Sequence, residues 1–312
     1  MNLEKDFITR IKIFISAPYL QLEWDKYSHY FRDYEVILPD VEERMDEGML
    51  IKLFDEHPDI VCGIVCDDHF TERVYDKSNL SFLVKWGTGI DSLNKDIALN
   101  YGVNIFNTPS AFTIPVSESV IGMMLNFCRT IGSSDNELKN GKWNKIPGFT
   151  LNESKVGIIG LGNIGSEVAK KLEIFGSDIS YYDPNVNNFK YTRYHNLHDM
   201  IKYCDIITIH CDLNESSFHL IGKDELYLLE NKVLINTARG GVINGHELEN
   251  FITFGGGISL GLDVFEEEPL PLDSVLRQSS TNVILSAHNT NTSPKFWKNV
   301  HMNSINMLKD NI

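Results

Sequence analysis

The sequence predicts an α/β protein of two domains, each a parallel sheet flanked by helices, with a cleft between them. Three observations carry that expectation. The chain has 312 residues, and domains run at roughly 100–200 residues each. Hydrophobic residues make up 42% and charged residues 23%, enough apolar side chain to fill ordinary cores. Short apolar runs alternate with longer amphipathic stretches, the pattern of βαβ units on a parallel sheet.

In the first third, strands are expected at 11–16, 36–38, 60–66, 82–86 and 103–106. Thr108-Pro109-Ser110 then interrupts the alternation. Residues 115–138 carry Val116, Val120, Met123, Met124 and Phe127 at helical spacing, with proline in the first turn, so one long helix is expected there. A second series follows from Lys155: KVGIIG, DISYYD, DIITIH, KVLINT, ISLGLDVF and NVILSAH. Six strands suit a dinucleotide-binding sheet. Gly255, Gly256 and Gly257 read as a tight turn. The last helix, 294–309, is expected to fold back on the first domain. The domains are therefore drawn as 1–108 plus 290–312, and 109–289.

Charge and cysteine content narrow the function. Lys plus Arg number 28 against 43 Asp plus Glu, a formal charge of -15. A field of that sign repels nucleic acid and anionic membrane. Five dispersed cysteines with no C-x-x-C pair argue against a disulfide framework or a zinc knuckle. Cys62 and Cys66 read as small buried residues on one strand face. The N-terminus mixes both charge signs and has no long apolar region, so a cytoplasmic protein is expected. His195, His198 and His210 have no converging acids or thiolates, so they read as solvated or capping residues and no metal is expected.

Gly160-Leu161-Gly162-Asn163-Ile164-Gly165 follows the strand VGII and opens the helical stretch SEVAKKLEIF. Asp183 closes the next strand, about 20 residues on, the spacing of a Rossmann-like dinucleotide fingerprint. The expected binding positions are Gly160, Gly162, Asn163, Ile164 and Gly165, where helix N-terminal amides meet the pyrophosphate. The Asp183 carboxylate suits ribose hydroxyls and repels a 2′-phosphate. Pro184, Asn185, Val186 and Asn187 supply no arginine to offset that, so NAD is expected over NADP.

Three further strand ends bear chemistry. KVLINT runs into Arg239, whose guanidinium fork suits a carboxylate. ISLGLDVF runs into Glu266-Glu267-Glu268, and NVILSA delivers His288. Histidine moves protons near neutral pH, and a neighbouring carboxylate favours its imidazolium form. Taken singly, such an arginine is commonest as a surface ion pair and a triple glutamate as a solvated run. Their placement at successive strand ends after the fingerprint makes them a candidate site.

From about Leu80 onward the chain resembles the D-isomer-specific 2-hydroxyacid dehydrogenases. GLGNIG resembles their glycine loop, NTARGGVIN their arginine block, LDVFEEEP the block with a glutamate before proline, and SAHNT the histidine block. The resemblance implies a flavodoxin-like substrate domain beside the Rossmann-like one and an often dimeric assembly through the interdomain helix. It implies that Arg239 binds the substrate, that His288 is the acid/base and that Glu268 pairs with it. Thr237, Ala238 and Asp263 would contact the cofactor, Asp263 at the nicotinamide amide. KWGTGIDSL resembles the substrate loop, in which the amides of Gly87, Thr88 and Gly89 hold a carboxylate.

The chain also departs from the family pattern. Ala287 stands where proline is usual before the histidine, leaving the backbone less fixed. Ser119 replaces a histidine of the interdomain helix. Asp67 and Asp68 close a strand where phosphoglycerate-type members place a basic residue. Arg73, Lys77 and Lys85 are the substitutes, read first as surface or capping charges, with Lys85 the best placed for substrate. The motifs look nearest the phosphoglycerate dehydrogenase-like branch, with the acid itself open. The competing reading is a non-catalytic NAD(H)-sensing scaffold on the same fold.

Overall fold

A computed structural model of the protein describes residues 10–187, 189–278 and 283–312. The N-terminal segment and Asn282, which opens the last expected strand, lie outside the described residues. The chain divides into two compact units: the described residues up to Ala111 with Ser293–Ile312, and Phe112–Thr292.

The first unit contains β1 (Ile11–Ile15), β2 (Tyr34–Ile37), β3 (Ile60–Val65), β4 (Phe82–Lys85) and β5 (Asn104–Phe106). They pair in parallel in the order β2-β1-β3-β4-β5, a flavodoxin-like arrangement. The central strands read as unbroken apolar runs because both faces are covered; Ile13, Phe14, Ile64, Val65, Leu83 and Val84 are fully buried. Cys62 and Cys66 are buried too, and desolvation pushes both thiols up to about 12. The helix Pro294–Asn311 packs on β3 and β4 of this unit.

His301 on that helix is fully buried. Its Nδ1 accepts the indole N–H of Trp86 at 2.9 Å, and Nε2 lies 3.6 Å from Glu23 Oε2. Burial lowers its pKa from 6.5 to about 4, although Glu23 opposes the shift. The unfolded chain therefore takes up a proton near pH 6.5, whereas the folded chain resists it down to about pH 4. This contribution is fully present above 6.5 and is lost as pH falls through that window, by roughly 3 kcal/mol. His301→Gln is expected to flatten the fall in denaturant midpoint between pH 7 and 4.5; an unchanged slope would remove His301 from the acid sensitivity.

The second unit has β6 (Lys155–Ile159), β7 (Asp178–Tyr182), β8 (Thr192–Arg193), β9 (Ile206–Ile209), β10 (Val233–Asn236), β11 (Ser259–Leu262) and β12 (Val283–Leu285). All pairs are parallel, in the order β12-β11-β10-β9-β6-β7-β8. The order reverses between β6 and β9, the place where this architecture opens a ligand crevice. Among the described residues the sheet has one strand more than the six expected, the two-residue β8.

The long helix expected at 115–138 is instead two helices, Thr113–Cys128 and Ile131–Lys139. Thr130 takes a left-handed φ of 52°. Two bonds redirect the ladder there. The Cys128 carbonyl accepts from Phe149 N at 2.8 Å, and Gly132 N donates to the Asn126 side chain at 2.9 Å. Neither group remains for the i→i−4 bond that a continuous helix would need.

Candidate active site

The glycine loop leaves the carboxyl end of β6 and enters the helix Asn163–Phe175. Each glycine answers a different constraint. Gly160 has φ 86°, and a Cβ there would lie 2.6 Å from Cys211 N at the end of β9. A Cβ on Gly165 would lie 2.1 Å from the Gly160 carbonyl, so the helix can approach the strand only without one. Gly162 caps the helix and faces open space, with nothing within 4 Å of a built Cβ. That cradle, at the amino end of a 13-residue helix, fits a pyrophosphate group. Thr237 Oγ1 is a second fitting observation. It is buried just beyond β10 and has no hydrogen-bond partner among the described residues. A dinucleotide therefore fits the glycine loop at Gly160, Gly162 and Gly165 and the Thr237 hydroxyl.

Asp183 closes β7. Its Oδ2 accepts Leu161 N of the glycine loop at 2.8 Å, and its Oδ1 accepts Asn185 N at 2.8 Å and Val186 N at 3.1 Å. Residues 184–187 supply no arginine, as expected, but Arg193 on β8 reaches this turn from farther along the chain. Its Nη1 donates to the Asn187 side chain and its Nη2 to the Asp183 carbonyl at 2.8 Å and the Pro184 carbonyl at 3.2 Å, while its buried Nε has no hydrogen-bond partner among the described residues. His210 also corrects its expected solvated role. Desolvation pushes its pKa down to about 3, and its Nε2 meets Thr208 Oγ1 at 2.9 Å.

β10, β11 and β12 are neighbours in the sheet, so their carboxyl ends bring Arg239, the Glu268 turn and His288 onto one side of the second unit. Asn236, at the end of β10, shapes the arginine turn. Its side chain accepts from Ala238 N at 3.0 Å and donates to the Arg239 carbonyl at 2.9 Å. Sequence reasoning passed over Asn236, although an Asn two residues before a loop amide is a recognisable turn signal. Glu268 Oε1 accepts from Phe265 N at 2.9 Å, which leaves Oε2 directed at His288 Nδ1, 3.1 Å away. The first glutamate of the triplet is exposed, as expected of a solvated run, but it is also tied down. Burial would raise its pKa, but Glu266 is held below the usual carboxylate range by His219 at 2.6 Å and Gly245 N at 2.7 Å.

His288 has a left-handed backbone with φ 51°, a conformation that costs a non-glycine residue about 1–2 kcal/mol. Asp263 surrounds the turn. Its carbonyl accepts from His288 N at 2.8 Å. Its carboxylate accepts from Asn289 N at 2.8 Å, Thr290 N at 3.2 Å and Thr290 Oγ1 at 2.6 Å. The expected role for Asp263 was the nicotinamide amide; the structure instead gives its fully buried carboxylate to the histidine turn. The loop after Ala287 is thus fixed without a proline.

In the first unit, Lys85 is not a surface charge. Its side chain is 3% exposed and donates to Asp67 Oδ1 at 2.6 Å and to the Cys66 carbonyl at 2.5 Å. Asp68 turns inward, accepting from Ser16 Oγ, Met45 N and Cys66 N. Gly87, with φ 131°, is tied on both sides to Thr108: its amide donates to Oγ1 at 3.0 Å, and its carbonyl accepts from Thr108 N at 2.9 Å. The expected set of three carboxylate-binding amides is therefore reduced to Thr88 and Gly89. Arg73 is the surface ion pair expected of it, with Glu47. Among the described residues no cluster of acids, histidines and cysteines is arranged to hold a metal, and no helix is long and apolar enough to cross a membrane.

A sheet that reverses order at a glycine loop, with an acid closing the strand after it, defines a dinucleotide-binding architecture. The comparisons with known proteins take this further. The family model described as D-isomer specific 2-hydroxyacid dehydrogenase, NAD binding domain, matches residues 121–290, and the chain belongs to that family of NAD-dependent oxidoreductases. It is 37% identical over 216 residues to a hydroxypyruvate reductase of Thermotoga maritima, covering 67% of this chain and 70% of that one. It is 33% identical to a D-3-phosphoglycerate dehydrogenase of Methanocaldococcus jannaschii, covering 70% of this chain but 43% of that longer protein. The fold is also that of the Aquifex aeolicus D-lactate dehydrogenase solved with NAD and lactic acid: TM-score 0.85 at 24% identity, covering 96% of this chain and 94% of that one.

Proposed function

We propose that the protein reduces a small, unphosphorylated 2-oxo acid to the 2-hydroxy acid with NADH, and runs the reverse oxidation with NAD. The observation that carries this is the Glu268–His288 contact of 3.1 Å, on strand ends adjoining the one that bears Arg239. Bound NADH supplies the hydride to C2 of the acid. Arg239 binds the carboxylate and the C2 oxygen through its fork. Glu268 holds the Nδ1 proton of His288, so the imidazolium gives its Nε2 proton to the C2 oxygen as the C–O double bond opens. In the oxidative direction neutral His288 takes the hydroxyl proton back. In the first unit, Lys85, Thr88 and Gly89 are proposed as further substrate-contacting positions.

Phosphate recognition is disfavoured because the Lys85 ammonium is already neutralised by Asp67. The names of the Thermotoga hydroxypyruvate reductase and of the Thermococcus litoralis glyoxylate reductase, 29% identical over 82% of this chain, support an unphosphorylated acid. NAD is preferred because a carboxylate at Asp183, closing β7, suits ribose hydroxyls and repels a 2′-phosphate, and Nη1 and Nη2 of Arg193 are already engaged. NADH oxidation should be screened against glyoxylate, hydroxypyruvate, pyruvate, branched-chain 2-oxo acids and phosphohydroxypyruvate, with NADPH as the second cofactor. We expect turnover of at least one unphosphorylated acid and a kcat/KM at least about tenfold higher with NADH, a difference of about 1.4 kcal/mol. No turnover of any acid would end the proposal, and a clear advantage for phosphohydroxypyruvate or NADPH would overturn the corresponding part.

A further inference from the structure

Residues 288–290 form a turn whose three successive amides all donate to one residue, Asp263. The shortest contact in the turn is made by a side chain, the Thr290 hydroxyl, at 2.6 Å from Oδ2. Thr290 is 8% exposed and Asp263 is fully buried, so water does not replace this bond freely. The amide on the same oxygen is longer, at 3.2 Å, while Oδ1 takes Asn289 N at 2.8 Å. The hydroxyl therefore sets the rotation of the carboxylate that holds the Asn289 amide, and so the left-handed turn at His288.

We propose that Thr290 is a positioning residue: its hydroxyl locks Asp263 against the turn and thereby holds the His288 imidazole at hydrogen-bonding distance from Glu268. The proposal rests on the reading of His288 as the proton donor for the 2-oxo acid. Without the hydroxyl, Oδ2 keeps only the long amide contact among the described residues, in a buried place, a poorly satisfied arrangement. The carboxylate then rotates, the turn relaxes from its disfavoured φ, and Nδ1 moves away from Oε2. Misplacement on the ångström scale costs up to about a hundredfold in rate.

The test compares Thr290→Val, which keeps the shape and removes the hydroxyl, with Thr290→Ser, which restores it. Two readouts are taken: kcat across pH with the best acid of the screen, and the His288 ring titration followed by NMR in the NAD complex. Thr290→Val is expected to lower kcat at least about tenfold, to leave KM for NADH within about twofold, and to move the His288 titration to lower pH as Glu268 loosens its hold. Thr290→Ser is expected to match the wild type in both. Thr290→Ala removes the same hydroxyl and carries the test should Val fail to fold. Unchanged kcat and titration in Val, or a Ser variant as impaired as Val, would overturn the proposal. Wild-type protein that turns over no 2-oxo acid would instead defeat the functional reading, while the NMR titration would still report on the turn.

Discussion

His288→Ala is expected to lower kcat by at least about a hundredfold, with KM for NADH little changed. The magnitude follows from the role: a positioned acid/base contributes about 10²–10⁴-fold, or roughly 3–5 kcal/mol of barrier. The KM for NADH should stay put because the glycine loop and Asp183 lie on other strands, β6 and β7. Glu268→Gln should have a milder effect that depends on pH. Its amide still reaches Nδ1, but it no longer stabilises imidazolium, so activity in the reducing direction is lost at lower pH than in the wild type. Stopped-flow measurement of NADH oxidation across pH 5–9 (a range about the ordinary histidine pKa) separates the two. Near-normal turnover in His288→Ala would remove the residue from the chemistry and favour an NAD(H)-sensing scaffold.

Much of this arrangement is legible in the sequence because the governing contacts are local. Apolar runs of four to six residues become buried parallel strands wherever both faces are covered, as in Ile206–Ile209 and Val233–Asn236, where every residue is buried. The glycine loop is equally legible, since its demands on Gly160 and Gly165 arise within a single strand–turn–helix unit. The features that escaped depend on distant partners. Lys85 reads as a solvated charge until Asp67, 18 residues earlier, folds beside it. Gly87 reads as an open amide until Thr108, 21 residues later, takes its N–H. Thr130 is no helix breaker by composition; the helix stops there because Phe149 claims the Cys128 carbonyl. Thr290 carries no local signal of its role, because its partner lies 27 residues away on another strand end.

Arg239→Ala is expected to have an effect as large as that of losing His288, but distributed differently. The guanidinium is proposed to hold the carboxylate in the ground state and the developing charge on the C2 oxygen in the transition state. KM for the acid should therefore rise and kcat should fall together. The two losses are together expected to reach about 10³-fold in kcat/KM, some 4 kcal/mol. Arg239→Lys is the sharper variant. It keeps the positive charge but replaces a planar fork with a point charge, so binding of the carboxylate is expected to recover in part while kcat stays low. Both changes remove the bond from Arg239 Nη1 to the Ala238 carbonyl at 2.8 Å, but the turn should survive because Asn236 still holds the backbone of Ala238 and Arg239. Initial-rate kinetics over acid concentration, with NADH binding followed separately by fluorescence, distinguish these cases. A lysine variant with wild-type kcat would show that charge alone suffices at this strand end, and that the fork plays no part in opening the C–O bond.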